Sequence, residues 1–198
     1  MYKLHGRVRS RALRTLWMLE EVGADYAYVS VMPRSPEARA LNPRGTVPIL
    51  ETPEGPILDS VAQMQFLADR HGAMTHPAGS HARARQDAFA LTVLEVMDAN
   101  LWTLALHGFG LPEDMRVPAI APVAKALVAR GSETLAGLMD GDCAVGDAPT
   151  VADVLLAHCA GWARGLKIDL DDRVLAHMRR MRERPAFSRA MAHAEADG

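Results

Sequence analysis

The sequence predicts an α/β N-terminal domain of order β-α-β-α-β-β-α, followed by an all-α helical bundle. Three observations carry this reading. Short β-prone runs bounded by Gly and Pro occur only in the first third of the chain, and no convincing strand follows Arg83. The stretch Met74 to Ser80, MTHPAGS, has Pro77, Gly79 and Ser80 and no apolar period, as a linker does. Beyond it, apolar residues recur only at helical spacing. The expected division is a domain over 1–75, a linker over 76–82 and a helical domain over 83–198.

Tyr2-Lys3-Leu4-His5-Gly6 reads as a strand ended by Gly6. From Ser10 the pattern turns helical. Leu13, Leu16 and Trp17 share one face, and Gly23 stops the helix. Ala27 to Val31 is a second strand, and Glu37 to Leu41 supplies one helical turn in a proline-containing loop. Val47-Pro48-Ile49-Leu50 and Pro56-Ile57-Leu58 form a hairpin about the turn Thr52-Pro53-Glu54-Gly55. Pro48 lacks an amide hydrogen, so the first arm is an edge or begins there. Ser60 with Gln63 reads as a capping box for a helix to His71, with Gly72 as its stop. A βαβ unit joined to a ββα unit is the thioredoxin-like arrangement, and the helix over 10–23 provides the crossover that a parallel pair needs.

In the second half, Ala84 to His107 and Pro118 to Met139 read as long helices. Val151 to Gly165 is a third, and Asp172 to Glu183 and Ala186 to His193 are shorter, separated by Pro185. Thr150 stands as N-cap with Asp153 three residues on, a second capping box. Losing Asp153 is expected to cost on the order of 1 kcal/mol or more.

Two motifs together resemble the cytosolic glutathione S-transferase superfamily, of bacterial type. One is Asn42-Pro43-Arg44-Gly45-Thr46-Val47-Pro48, followed by Asp59-Ser60 and a helix. The other is Ala148-Pro149-Thr150-Val151-Ala152-Asp153, which is similar to the buried capping box of that family's helical domain. The resemblance covers essentially the whole chain. It implies a cis bond at Val47–Pro48, with the Val47 backbone facing the cysteinyl part of glutathione. It implies that Asp59 and Ser60 hold the γ-glutamyl end and that Arg34 lies near the glycyl carboxylate. Thr46 stands where Lys or Gln is common, and Asp59 is one methylene shorter than the usual Glu. Independent physics agrees: an exposed strand edge at Val47 suits a peptide-like ligand, and the helix start at Ser60 suits a carboxylate.

Composition narrows the class. The 198 residues are 49% hydrophobic and carry a formal net charge of −2, so no global field points to nucleic acid or a membrane surface. No apolar run is expected to approach the roughly 20 residues that span a bilayer. Cys143 and Cys159 stand in no metal or redox spacing, and the eight histidines form no ligand motif. No metal is expected, and the expected location is cytoplasmic. The basic run Arg179, Arg180, Arg182 and Arg184 reads as a solvated helix face.

Glutathione chemistry needs a thiolate, and the free thiol pKa is about 8.5. In the resemblance, a hydroxyl after the first strand lowers it. Here Gly6-Arg7-Val8-Arg9-Ser10-Arg11 has Ser10 as its one hydroxyl, and Ser10 also reads as a helix N-cap. Anchoring on Arg14, Leu16 and Trp17 puts the usual serine nearer Arg7. Either Ser10 donates to the sulfur, or Arg7 or Arg9 with the helix dipole stabilises it. The resemblance implies a homodimeric transferase joining glutathione, as co-substrate, to a small hydrophobic electrophile, or reducing a peroxide with it. Two alternatives stand beside it. One is a non-conjugating binding or regulatory protein, and the other is a glutathione-dependent isomerase or reductase.

Overall fold

Strand β1 (Tyr2–Gly6) lies inside a four-stranded mixed sheet because both its neighbours pair with it. The computed structural model describes residues 1–197. Strand β2 (Tyr26–Ser30) runs parallel to β1, with Leu4 opposite Tyr28. Strand β3 (Ile49–Thr52) is antiparallel to β1, with Leu4 opposite Leu50, and β4 (Gly55–Leu58) closes the hairpin. The order is β2-β1-β3-β4. Leu4, Ile49 and Leu50 are fully buried. Strand β3 starts at Ile49, after the proline that cannot donate.

Helix α1 (Ala12–Glu21) makes the crossover, and Leu16, Trp17, Met18 and Leu19 are all buried. Its N-cap is Arg11, not Ser10 as the sequence suggests. Val8 to Arg11 form a turn, and Leu13 N–H and Arg14 N–H bond back three residues to Ser10 and Arg11 carbonyls. The helix therefore opens tightly and one residue later. Helix α2 (Pro36–Leu41) is capped by the Ser35 hydroxyl. Helix α3 (Ser60–His71) ends at Gly72, whose φ of +65° suits glycine.

The helical unit spans Gly79 to Met181. Helix α4 (His81–Val93) and α5 (Ala99–Ala105) belong to one continuous run with π-helical segments at Leu94–Asp98 and Leu106–Gly110. This corrects the expected absence of a membrane-length apolar stretch. His81–Gly110 is 30 residues long and contains a window of mean hydropathy 1.4, enough to cross a membrane by length and composition. In the fold, 39% of that window is buried, against α6 (Ala121–Leu138) and α7 (Val151–Gly165). Gly131 allows the close approach, since a Cβ there would meet the Val96 carbonyl oxygen at 2.7 Å. Helix α7 buries every residue of its first two turns, and the Thr150–Asp153 capping box at its start is present.

Helix α8 (Asp172–Arg182) is followed by α9 (Pro185–Ala192). From Arg182 onward the chain packs with residues 1–78, so the helical domain ends at Met181 rather than at the expected 198. The cause is specific side chains on α9. Phe187 stacks on Trp17 with centroids 4.7 Å apart, Arg184 pairs with the buried Glu21 at 2.6 Å, and Arg189 reaches Glu20 at 2.6 Å. The basic run is therefore not one solvated face. Arg180 pairs with Asp142 at 3.3 Å, and Arg182 lies 5.3 Å over the Phe187 ring.

Candidate functional site

Three segments converge where β1 ends. A Cβ built on Gly6 would stand 2.6 Å from Ala12 Cβ, 3.6 Å from Val47 Cβ and 3.7 Å from Pro48 Cα. Only glycine lets the start of α1 and the Val47–Pro48 loop come this close. The Val47–Pro48 peptide is cis. Gln63, fully buried, fastens the junction: its Nε2 donates to Pro48 O at 3.0 Å and to Ile57 O at 2.8 Å. Its Oε1 accepts from the Thr15 hydroxyl at 2.6 Å. Beside it, buried Arg14 donates to Ser60 Oγ at 3.3 Å. Among the described residues, no hydrogen bond engages the Val47 backbone.

The expected Ser60–Gln63 capping box is corrected by this network. Gln63 points at Pro48 and Ile57, and the N-cap is Asp59. Asp59 has φ +72°, and its Oδ1 accepts from Val61 N–H at 2.8 Å and Ala62 N–H at 3.2 Å. Asp tolerates that conformation better than most residues. Its carboxylate remains exposed, beside the buried Ser60.

Arg34 also has positive φ, +68°, because its N–H bonds Gly45 O at 2.7 Å across a tight loop. Its side chain is exposed. Thr46 is exposed and is held by Asn42, whose Nδ2 donates to the Thr46 carbonyl at 2.9 Å and hydroxyl at 2.8 Å. The Ser10 hydroxyl donates to Arg7 O at 2.6 Å and accepts from Ala12 N–H at 3.1 Å. Arg7, Arg9 and Ser10 line a cavity of about 570 Å³ together with Met32, Pro33, Ala194 and Asp197. Met97, a helical-unit residue, is wholly buried core, while Trp102 and Phe109 are exposed.

Asp197 is the residue that sequence reasoning missed. Its Oδ2 accepts from Val8 N–H at 2.7 Å, and its Oδ1 accepts from the Tyr28 hydroxyl at 2.6 Å and the Ser30 hydroxyl at 2.9 Å. The Arg7 guanidinium donates to the Asp197 carbonyl and lies 4.0 Å from its carboxylate. Burial pushes the Asp197 carboxyl up, but those hydrogen bonds and the Arg7 charge outweigh it, and the net is downward. Burial, and then the hydrogen bond to Asp197, pushes the Tyr28 phenol above its ordinary range. A signal was available, since Tyr26, Tyr28 and Ser30 alternate and so share a strand face. Among the described residues, no group of three or more His, Cys, Asp or Glu side chains is arranged to hold a metal ion.

Comparison with known proteins agrees with this architecture. A family profile described as the glutathione S-transferase N-terminal domain matches residues 9–70. The chain is 33% identical over 144 residues to a probable elongation factor 1-gamma 2 of Arabidopsis thaliana, a match covering 68% of this chain and 32% of that protein. It thus spans about a third of that curated relative and 16% of a second, an elongation factor 1-gamma of Prunus avium. Among solved structures, a glutathione transferase from Methylococcus capsulatus str. Bath superimposes with TM-score 0.83 at 26% identity, over 99% of this chain and 100% of that one. A glutathione transferase from Phanerochaete chrysosporium, solved with oxidized glutathione, shares the fold with TM-score 0.84 at 21% identity, over 98% and 95% of the two chains. Residues 9–70 thus carry the glutathione S-transferase N-terminal domain, and the chain as a whole has the glutathione transferase fold.

Proposed function

We propose that this protein binds glutathione along Val47–Pro48, Asp59 and Ser60 and joins its sulfur to a small electrophile. The observation that carries the reading is the Gln63–Thr15–Pro48 network with Gly6, which holds the Val47 edge and the start of α1 together. The free Val47 N–H and C=O suit pairing with the cysteinyl backbone as an added strand. The Asp59 carboxylate suits the γ-glutamyl ammonium, and Ser60 with the first turn of α3 suits its carboxylate. Arg34 and Thr46 complete the glutathione contacts on the loop side. The sulfur then lies toward Arg7 and Ser10.

In transfer, the thiol first loses its proton to solvent. The thiolate attacks the electrophilic carbon, a C–S bond forms, and the leaving group departs with its electron pair. The protein's part is to favour the thiolate. Ser10 now donates to Arg7 O, so its hydroxyl must turn to reach the sulfur, while Arg7 and Arg9 supply positive potential without moving a proton. A cytoplasmic location and a homodimer go with this reading, since glutathione is the thiol of that compartment.

Turnover of an aryl halide with glutathione tests it. Ser10→Ala is expected to lower kcat/KM by about tenfold, one hydrogen bond in the transition state, and to move the pH–rate profile upward. A wild-type protein that binds glutathione without turnover refutes transfer. It would support the second reading, a binding or regulatory role without conjugation. The similarity to a protein named for an elongation factor favours that reading.

A further inference from the structure

The outer row of β2 is covered by the segment His193–Asp197, and the contacts are unusually directed. His193 Nε2 lies 2.8 Å from the Tyr26 hydroxyl, and its ring packs on Tyr28 with centroids 5.1 Å apart. Four residues from two places in the chain then meet one carboxylate. Val8 N–H, the Tyr28 and Ser30 hydroxyls and the Arg7 guanidinium all face Asp197, whose side chain is 7% exposed. The segment that delivers it is thin: apart from the Asp197 side chain, its residues are half-buried or exposed. Little apolar area therefore opposes its release.

The same carboxylate is a wall of the cavity that Arg7, Arg9, Ser10, Met32 and Pro33 complete. Two guanidinium groups balanced by one carboxylate leave that cavity net positive. Met32 and Pro33 offer it an apolar side. We propose that these donors form a carboxylate-binding subsite for the second substrate, and that Asp197 occupies it in cis until a carboxylate-bearing electrophile displaces the His193–Asp197 segment. The reaction served rests on the transfer reading above, while the carboxylate site itself rests only on its geometry. An entering carboxylate can accept from the Val8 N–H and the Tyr28 and Ser30 hydroxyls, the three donors that the Asp197 side chain leaves, and takes its place beside the Arg7 guanidinium. A neutral amide can accept from the Val8 N–H and the hydroxyls but brings no charge to set against the net positive cavity, so the subsite selects small acids with an apolar body.

Calorimetric titration of the full chain with benzoate, and with benzamide as its neutral counterpart, tests the inference. Asp197→Ala is expected to bind benzoate at least about tenfold tighter than wild type, with benzamide unchanged. Adding Ser30→Ala to that variant is expected to return about tenfold, one hydrogen bond to a charged group. Asp197→Asn keeps the size and removes the charge, and is expected to show a smaller gain if Asp197→Ala does not fold. Equal benzoate affinity in wild type and both variants overturns the proposal, as does an equal gain for benzamide. Saturating glutathione is expected to leave benzoate binding intact. Competition would give the site to glutathione's own carboxylate and overturn its assignment to the second substrate. A benzoate gain in a protein that does not bind glutathione would sustain the subsite and end the transfer reading.

Discussion

Asp153→Ala removes the acceptor on which four donors converge. Asp153 is fully buried at the start of α7. Its Oδ2 accepts from Thr150 N–H at 2.8 Å and the Thr150 hydroxyl at 3.0 Å, and its Oδ1 accepts from Ala144 N–H at 2.7 Å. His177 Nε2, on α8, lies 2.8 Å from the same oxygen, and its Nδ1 is buried without a partner. Alanine would leave the Ala144 amide, the Thr150 amide and the His177 imidazole unsatisfied. Each such group costs about 1–3 kcal/mol. Three of them place the loss at about 3 kcal/mol or more, a large part of a domain's usual 5–15 kcal/mol, roughly. A simple two-member capping box would give only about 1 kcal/mol, so the tertiary partners are the larger share. Thr150→Val, which removes only the hydroxyl, is expected to lose about 1 kcal/mol. Urea unfolding followed by tryptophan fluorescence and far-ultraviolet circular dichroism measures both. A loss below about 1 kcal/mol for Asp153→Ala, or a larger loss for Thr150→Val, would refute the convergence argument.

Gln63→Leu keeps the volume but orphans Pro48 O, Ile57 O and the Thr15 hydroxyl. It is expected to lower stability by about 2 kcal/mol or more, measured by the same unfolding, and to weaken glutathione binding with it. Gly6→Ala forces a methyl to within 2.6 Å of Ala12 Cβ. A cost of about 1–3 kcal/mol follows from overpacking, read as a lower Tm in a thermal melt. The third prediction concerns pH. The folded-state pKa of Asp197 is lowered, so its contribution is complete above the ordinary Asp value of about 3.9 and is lost as pH falls through the lower folded value. The protection of Val8 N–H against hydrogen exchange, relative to its free-chain rate at the same pH, is expected to be high at pH 5 and to fall only in more acid solution. Little protection at pH 5 would contradict the Asp197 contact.

Much of the fold was legible because period-2 runs stop at the linker and 3.6-residue periods follow it. The Val47–Pro48 loop and the Thr150–Asp153 box were legible because few residue types serve there. What escaped was long-range or conformational. Asp59 and Ser60 are both good N-caps, and the +72° φ at Asp59 decides between them. The helical pattern over 185–192 shows an apolar face but not that Phe187 would choose Trp17 as its partner. Two π-helical segments add single residues to turns, a change too small for periodicity to register. Asp197 itself carries no local signal, since its donors come from Arg7, Val8, Tyr28 and Ser30, more than 160 residues earlier, and the one hint lay on their side, in the shared face of Tyr26, Tyr28 and Ser30.

Glutathione titration of the wild type beside Asp59→Asn bears most directly on the proposed binding site. Asn keeps an N-cap at the same φ and so preserves α3, while removing the charge offered to the ligand ammonium. The account predicts wild-type binding at or below millimolar glutathione, and about tenfold weaker binding in Asp59→Asn with an unchanged melting temperature. Equal affinity in the two proteins, or none in the wild type at millimolar glutathione, would contradict it.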